Sequence, residues 1–192
     1  MDHQHVMKEI RHVSRAMFRK NFFGVVHGSI SARTKSESFL INAQETILDE
    51  VDEGALVTLE CGQYDYRWNR ASVDAHIHEQ IYREIPHAKS IACAMPPYAT
   101  AYMLDHETFV PRDYYGERLA KTLPVLDAHP FDQWRTRAPN AIADCFSQCD
   151  SHAILIRGYG VVAYDRDLRI LAKTIAVLEN SARLLMLAPT NQ

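Results

Sequence analysis

The sequence has few cysteines and no excess of either charge. Its 192 residues include only four cysteines, and none of them stands in a Cys-x-x-Cys pair, so a disulfide scaffold is not expected. We interpret the thiols as reduced and mostly buried. Lys and Arg number 21 against 24 Asp and Glu, which gives a formal net charge of -3. This balance argues against binding to nucleic acid or to an anionic membrane surface.

Long hydrophobic runs are lacking as well. No apolar stretch approaches the roughly 20 residues that a transmembrane helix needs, and the first residues lack the basic-then-apolar order of a signal peptide. We therefore expect a cytoplasmic protein without a membrane span. The hydrophobic fraction of 47% is sufficient for the core of one ordinary domain, and no low-complexity linker divides residues 1–192.

Apolar spacing predicts helices at both ends of the chain and a mixture of strands and helices between them. Helices are predicted over 6–18, 74–85, 139–149 and 168–187, with another short helix after Pro97. Strands are predicted over 24–33, 38–41, 55–60, 90–94, 123–126, 153–156 and 161–164. This order favours a layered α/β or α+β domain.

Five motifs follow one another along most of the chain. They are Gly28-Ser-Ile-Ser-Ala-Arg33, Ser38-Phe-Leu-Ile41, the segments 74–86 and 90–100, and Ile154-Leu-Ile-Arg-Gly-Tyr-Gly-Val-Val-Ala163. In this order and spacing they resemble the class II aldolase and adducin family. The resemblance implies a three-layer α/β/α domain with a central, mostly antiparallel sheet. It also implies a homo-oligomer, since the family's aldolases are cyclic tetramers.

The resemblance further implies where a metal would bind. Enzymes of the family hold a divalent metal, usually zinc, with a His-x-His pair on the strand before Pro-Pro and a third His between two glycines. The corresponding positions here hold Cys93, Met95 and Tyr159. A thioether and a phenol of ordinary pKa near 10 are poor zinc ligands, so no cofactor is expected at a three-histidine centre.

Other metal sites remain open on the sequence alone. Zinc or another divalent metal is possible at a rearranged site of Cys93 and Asp74 with His76 or His78. The two histidines are two residues apart near a helix start, so they face different directions and are more simply surface or interface residues. Cys93 and Met95 share one strand face and form a soft pair that suits copper(I), although filling of a vacated pocket is the simpler interpretation.

A carboxylate occupies the position of the family's acid/base. In the family that residue is a Glu four residues before a characteristic His, and counting back from His78 gives Asp74. The aspartate side chain is one methylene shorter, which moves the reacting oxygen by about 1 Å. Asp74 is therefore the candidate catalytic residue. The alternative is that Asp74 only caps the helix that follows it.

Phosphate binding is disfavoured by three substitutions. The family positions that cradle a sugar phosphate hold Ser29, Gln44-Glu45 and Ser72-Val73 here. Loss of a glycine removes a close backbone approach, and Glu45 adds a negative charge where a dianion would lie. Ser29 and Ser72 still offer hydroxyls. Together with Tyr159 they are the candidate substrate-binding residues.

Three further features carry weaker hypotheses. Met1-Asp2-His3 has the donor set for copper(II) or nickel(II), with a frayed terminus as the simpler interpretation. Cys145 and Cys149 lie on one helix face, which indicates core or interface packing. The segments 109–116 and 127–137 are interpreted as aromatic-rich loops at a site or subunit contact, with surface packing of amphipathic residues as the simpler interpretation. The family resemblance implies that Tyr114 or Tyr115 would enter a neighbouring subunit's site.

Two functional hypotheses follow. The first is a family member without the usual metal that acts as a binding or assembly module, or as an enzyme of unidentified chemistry. The second is a metal-dependent carbon–carbon lyase or epimerase that uses Asp74 on a small, non-phosphorylated hydroxy-carbonyl substrate. The pocket distinguishes them, because an assembly module could fill it with Met95 and Tyr159, whereas an enzyme must keep a cavity and a titrating group there.

Overall fold

Helices and strands alternate irregularly along the part of the chain that the computed structural model describes, which is residues 3–25, 27–52 and 54–188. The helices are α1 (His3–Arg19), α2 (Ala75–Glu84), α3 (Pro97–Asp105), α4 (Tyr114–Leu119), α5 (Phe131–Gln148) and α6 (Leu168–Leu187). The strands are β1 (Ser29–Lys35), β2 (Ser38–Asn42), β3 (Leu56–Glu60), β4 (Ser90–Ala94), β5 (Thr108–Phe109), β6 (Leu123–Asp127), β7 (Ala153–Arg157) and β8 (Gly160–Asp165).

The strands form one sheet in the order β3-β2-β1-β4-β8-β7-β6-β5. Its pairs are antiparallel except for β6 and β7, which run parallel. Helices α1, α3 and α6 contribute to the apolar core on one face, and α2 and α5 to the core on the other. The predicted three-layer α/β/α architecture with a mostly antiparallel sheet is therefore confirmed.

Strand β4 lies in the interior of the sheet, between β1 and β8. All five of its residues are buried, and Ala92 and Cys93 face opposite cores, as the two-residue period of a strand requires. Burial on both faces explains the uninterrupted apolar sequence. The strand ends before Pro96, and Pro97 begins α3, a position where its missing N–H costs nothing.

Helix α3 receives its N-terminal cap from another helix. The Glu179 carboxylate of α6 accepts hydrogen bonds from the backbone N–H groups of Tyr98 and Ala99, at 3.1 and 2.9 Å. These are two of the amide donors that a helix start leaves without intrahelical partners. The negative charge also lies at the positive end of the α3 dipole, which stabilises this arrangement.

Helix α5 begins earlier than the sequence prediction of 139–149. It starts at Phe131 and carries Pro139 in its interior, so the placement of Pro139 in a first turn is wrong. The buried residues Trp134, Ala138 and Ile142 recur every four residues across the proline. Burial of this stripe compensates for the backbone hydrogen bond that the proline removes.

Two segments interpreted as loops are in part helical. Most of 127–137 belongs to α5, and 109–116 runs from the end of β5 into the first turn of α4. The Asp113 side chain accepts a hydrogen bond from the Gly116 N–H, so a local cap starts α4 in a segment without an obvious apolar period. Within the described ranges, no helix has the length and apolar character needed to cross a bilayer.

Candidate functional site

A cavity of about 290 Å³ opens at one end of the central strands. The loop before β1, the segment before α2, the end of β4 and the turn between β7 and β8 all contribute to its wall. The sequence-predicted site residues on this wall are Ser72, Asp74, Cys93, Met95 and Tyr159. The fold thus brings residues from distant parts of the chain into one site, and neither Met95 nor Tyr159 fills it.

Both oxygens of the Asp74 carboxylate accept hydrogen bonds from hydroxyl groups. The Tyr159 hydroxyl donates to Oδ1 at 2.6 Å, and the Ser29 hydroxyl donates to Oδ2 at 2.7 Å. The Asp74 side chain makes no capping bond to α2, although Asp74 occupies the N-cap position. The interpretation of Asp74 as a simple helix cap is therefore wrong, since its carboxylate points to the sheet and the cavity.

Ser29 is completely buried and lies directly behind the cavity wall. Its hydroxyl is 2.9 Å from Nε2 of His78, whose other nitrogen, Nδ1, is 2.6 Å from the hydroxyl of Ser31. The Ser31 hydroxyl is in turn 2.8 Å from the Tyr82 hydroxyl. A chain of short hydrogen bonds that the sequence analysis missed thus connects the Asp74 carboxylate to the interior between α2 and the sheet.

His78 and His76 have opposite environments. The imidazole of His78 is fully buried, so the interpretation of it as a surface or interface residue is wrong, whereas the His76 ring is 60% exposed and stacks on Trp68. Residues two apart on a helix face different directions, which explains the difference. Burial lowers the pKa of His78 to about 3, so its ring is neutral at physiological pH.

Cys93 is a protonated thiol rather than a nucleophile. Burial, and then the charge of Asp74, raise its pKa well above the ordinary value. The Sγ atom lies 3.5 Å from His78 Nε2, but that nitrogen already has the Ser29 hydroxyl as its closer partner. The thiolate that nucleophilic chemistry requires is therefore disfavoured.

Tyr159 is held over the cavity by the tight turn between β7 and β8. Its ring meets Trp134 of α5 edge to face, with ring centroids 5.6 Å apart. Burial chiefly, with the neighbouring Asp74 charge in addition, raises the pKa of Tyr159 well above the ordinary value, so the phenol keeps its proton. The glycines on either side, Gly158 and Gly160, both have positive φ angles, of 71° and 124°.

The side chains at the family's metal positions do not fit zinc. Zinc binds thiolates, neutral imidazoles and carboxylates. Burial keeps the proton on the sulfur of Cys93, Tyr159 directs its proton at Asp74, and Met95 offers a neutral thioether. Over residues 3–25, 27–52 and 54–188, no group of three or more His, Cys, Asp or Glu residues is arranged to hold a metal. The rearranged metal site remains a prediction.

The cavity carries little positive charge. Its described lining includes Gln44, at a position expected for phosphate binding in the family, but neither lysine nor arginine. It also includes Thr46 and His27, which no sequence motif connected with the site. Burial lowers the pKa of His27, which favours its neutral form. Glu45 does not line this cavity and borders an adjoining surface depression, so its predicted place at the position of a phosphate dianion is wrong. The Asp74 carboxylate and the missing cations oppose a phosphate dianion instead.

The first residues of the predicted strand 24–33 form a loop. Gly28 has a φ of 121°, which interrupts the extended backbone, and β1 begins only at Ser29. Because these residues are not part of β1, Gly24 and His27 lie at the cavity. The one available signal was the position of His27, immediately before the Gly28-Ser29 motif.

The remaining candidate residues lie away from the cavity or outside the described residues. Tyr114 and Tyr115 are exposed on α4. The Cys145 and Cys149 sulfurs are 4.0 Å apart at the end of α5 and are not bonded as a disulfide. In Met1-Asp2-His3, Met1 and Asp2 fall outside the described residues. The copper(I) pair of Cys93 and Met95 remains a prediction.

Replacing Gly160 by alanine is expected to destabilise the protein strongly. A Cβ atom at this position would lie 2.1 Å from the Ala94 carbonyl oxygen in the neighbouring strand. Gly62→Ala is the matched control, since Gly62 also has a positive φ but no atom within 4 Å of the added methyl group. Urea denaturation should give a loss of about 1 kcal/mol for Gly62→Ala and at least about 2 kcal/mol more for Gly160→Ala. Equal losses would contradict the close approach.

The buried His78 predicts that acid weakens the fold. Its pKa is about 3 in the folded protein, whereas it is near 6.5 when unfolded, so between these values only the unfolded chain binds the proton. The stabilisation is complete above about pH 6.5 and decreases as the pH falls toward about 3. Urea denaturation at several pH values should show a shallower decrease for His78→Gln. His76→Gln should keep the wild-type slope, and equal slopes for the two variants would refute this.

Known structures share this fold at low sequence identity. L-fuculose-1-phosphate aldolase from Thermus thermophilus is 24% identical, with a TM-score of 0.82 over 95% of this chain and 93% of that one. YgbL from Klebsiella pneumoniae, described as a putative aldolase/epimerase/decarboxylase, is 19% identical, with a TM-score of 0.83 over 100% and 93% of the two chains. Comparison with curated protein sequences gives no significant match.

The family is evident in the sequence as well as in the fold. The class II aldolase and adducin N-terminal domain family matches residues 8–186, which extend from within α1 to nearly the end of α6. The five motifs of the sequence analysis all lie within this match. The chain therefore belongs to the class II aldolase and adducin family.

Proposed function

We propose that this protein binds a small, non-phosphorylated hydroxy-carbonyl compound in the cavity, without the family's zinc centre, and is not an aldolase of the usual metal-dependent kind. The observation that carries the proposal is the 2.6 Å hydrogen bond from Tyr159 to Asp74 at the wall of a cavity that is still open. At the position of a family metal ligand, the chain offers a phenol that contacts the acid/base carboxylate directly.

The open cavity favours a ligand site over a purely structural role. Met95 and Tyr159 leave the cavity open, and its volume of about 290 Å³ is enough for a compound of a few carbon and oxygen atoms. Polar groups of Ser72, Thr46 and Gln44 share the wall with apolar side chains. Hydroxyl and amide groups suit a polyhydroxylated ligand, because each can donate or accept a hydrogen bond.

The pair of Asp74 and Tyr159 can support proton exchange at a carbon next to a carbonyl group. When a ligand binds, the Tyr159 hydroxyl would turn from Asp74 Oδ1 to donate to the ligand's carbonyl oxygen. The freed Asp74 oxygen would then accept the proton, and the electron pair of the broken C–H bond would move toward that carbonyl oxygen. Return of the proton to the same face restores the starting compound, and return to the opposite face of that carbon gives its epimer. Under this proposal Asp74 is the catalytic residue, and Ser72 and Tyr159 contact the ligand.

A metal-dependent carbon–carbon lyase or epimerase on the same class of compound is the second candidate. It is favoured by the presence of Asp74 and Cys93 together in the lining of the cavity. Binding of a divalent cation such as zinc would have to displace the Cys93 proton, after which the thiolate and the Asp74 carboxylate would both be ligands. The two candidates differ in their metal content, which can be measured.

Unphosphorylated compounds are expected to bind more tightly than their phosphate esters, because the described cavity wall carries a carboxylate and no lysine or arginine. Untagged, chelator-dialysed protein is titrated with L-fuculose and dihydroxyacetone, each beside its phosphate ester. Binding is followed by the fluorescence of Trp134, which contacts Tyr159, in a Trp68→Phe background. Asp74→Ala should weaken the binding about tenfold, since it removes a charged hydrogen-bond acceptor.

Asp132→Ala, which removes an exposed carboxylate of α5, is the matched control and should keep the wild-type affinity. Tighter binding of the phosphate esters, or no binding of any of the four compounds, contradicts the proposal. Elemental mass spectrometry before and after dialysis tests the second candidate. One equivalent of metal per chain that disappears in Cys93→Ser would overturn the metal-free proposal and support the lyase.

We also propose that the protein forms a homo-oligomer, and specifically a tetramer by resemblance to the family. Exposed apolar or aromatic side chains on α4 and α6 support self-association: Tyr114, Tyr115, Leu184 and Leu187. Such groups are typical of interfaces when they lie together. Sedimentation equilibrium at micromolar concentration should give four times the chain mass of 21.9 kDa, and Leu184→Glu should lower it. A monomer in the wild type would refute this proposal.

A further inference from the structure

The hydrogen-bond chain behind the cavity forms because one side of α2 lies against one face of β1. Asp74, His78 and Tyr82 are spaced four residues apart, so they form one stripe on the helix, with steps of about 6 Å. Ser29 and Ser31 are two residues apart on one face of β1, with a step of about 6.6 Å. Because the two steps nearly match, each serine hydroxyl lies between two successive polar groups of the helix.

The number of available protons sets the direction of every hydrogen bond in this chain. The Asp74 carboxylate only accepts, so Ser29 gives its single hydroxyl proton to Oδ2. The Ser29 oxygen must then accept from His78 Nε2, 2.9 Å away, which places the ring proton on Nε2. A neutral imidazole has one proton, so Nδ1 accepts from Ser31.

The hydrogen-bond directions at the inner end of this hydrogen-bond chain follow from the same count of protons. Since Ser31 gives its proton to His78, its oxygen accepts from the Tyr82 hydroxyl at 2.8 Å. The Tyr82 ring is itself held between the Arg33 guanidinium, 4.6 Å from the ring centroid, and the Phe39 ring, 5.1 Å away. Every proton in the chain therefore points toward Asp74.

We propose that His78 and Ser29 are positioning residues that hold the Asp74 carboxylate in one orientation, with His78 fixed as the Nε2–H tautomer. This inference rests on the proposed role of Asp74 in ligand binding. Ser29 fixes one carboxylate oxygen from the sheet side, while Tyr159 reaches the other at the cavity wall. An aspartate side chain held at both oxygens loses its freedom to rotate, which lowers the entropy cost of binding a ligand against it.

The tautomer is measured by NMR on protein with ¹⁵N-labelled histidine, without any ligand. The His78 signals are assigned by their absence in His78→Gln. We expect a protonated ε nitrogen and a bare δ nitrogen throughout the range from about pH 5.5 to 8. Ser31→Ala should shift the δ nitrogen signal, because Nδ1 loses its donor. Ser90→Ala is the matched control, since Ser90 is a buried serine on β4 whose hydroxyl donates to the Asp165 carbonyl oxygen.

Binding then tests the positioning effect. Ser31→Ala removes a group that does not line the cavity, and we expect it to weaken binding of the tightest of the four sugar compounds roughly three- to tenfold, the effect of one hydrogen bond. Ser90→Ala should leave the affinity unchanged. A δ-protonated or doubly protonated His78 in the wild type, or equal binding by the two serine variants, would overturn the positioning proposal. Failure of all four compounds to bind, with the expected tautomer present, would instead refute only the proposed function.

Discussion

The arrangement of the candidate site depends on the Asp74 carboxylate and the two hydroxyl groups that donate to it. One donor, Ser29, comes from a strand in the first part of the chain, and the other, Tyr159, from a turn in the last part. Burying a carboxylate is costly unless its oxygens receive hydrogen bonds. The pairing therefore brings α2, β1 and the β7–β8 turn to one place and determines where the cavity can open.

The glycines of the β7–β8 turn allow Tyr159 to reach Asp74. Gly160 lies so close to the Ala94 carbonyl group of β4 that a side chain would not fit, and its positive φ reverses the chain within two residues. Tyr159 is thereby placed next to the end of β4, where Cys93 lies. A family member can change the chemistry of this site by exchanging side chains, because the backbone positions are set by the turn and the sheet.

The sequence predicts the fold well because its signals are local. Helical spacing identified α1, α2 and α6, and short apolar runs identified the central strands. The error at Pro139 arose because a buried four-residue stripe outweighs a single unfavourable proline. The candidate site residues around Asp74 were predicted from motif positions, which preserve their order in the chain.

The contacts within the site were less predictable. The burial of His78 and the separation of Glu45 from the cavity depend on how α2 and the loop after β2 are packed, which no local pattern specifies. The matching steps of Asp74, His78 and Tyr82 on α2, and of Ser29 and Ser31 on β1, were visible in the sequence. These spacings predict the hydrogen bonds only when it is known that α2 packs against β1.

The capping of α3 by Glu179 connects the C-terminal helix to the cavity wall. Although α6 contributes no described residue to the lining, its carboxylate fixes the first turn of α3, which begins two residues after Met95. A shift of α6 along its axis would therefore be transmitted to the Pro96-Pro97 corner and to the Met95 side chain. The last helix thus supports one wall of the candidate site although none of its described residues lines the cavity, so a change in the packing of α6 would move the cavity wall without altering any residue of the lining.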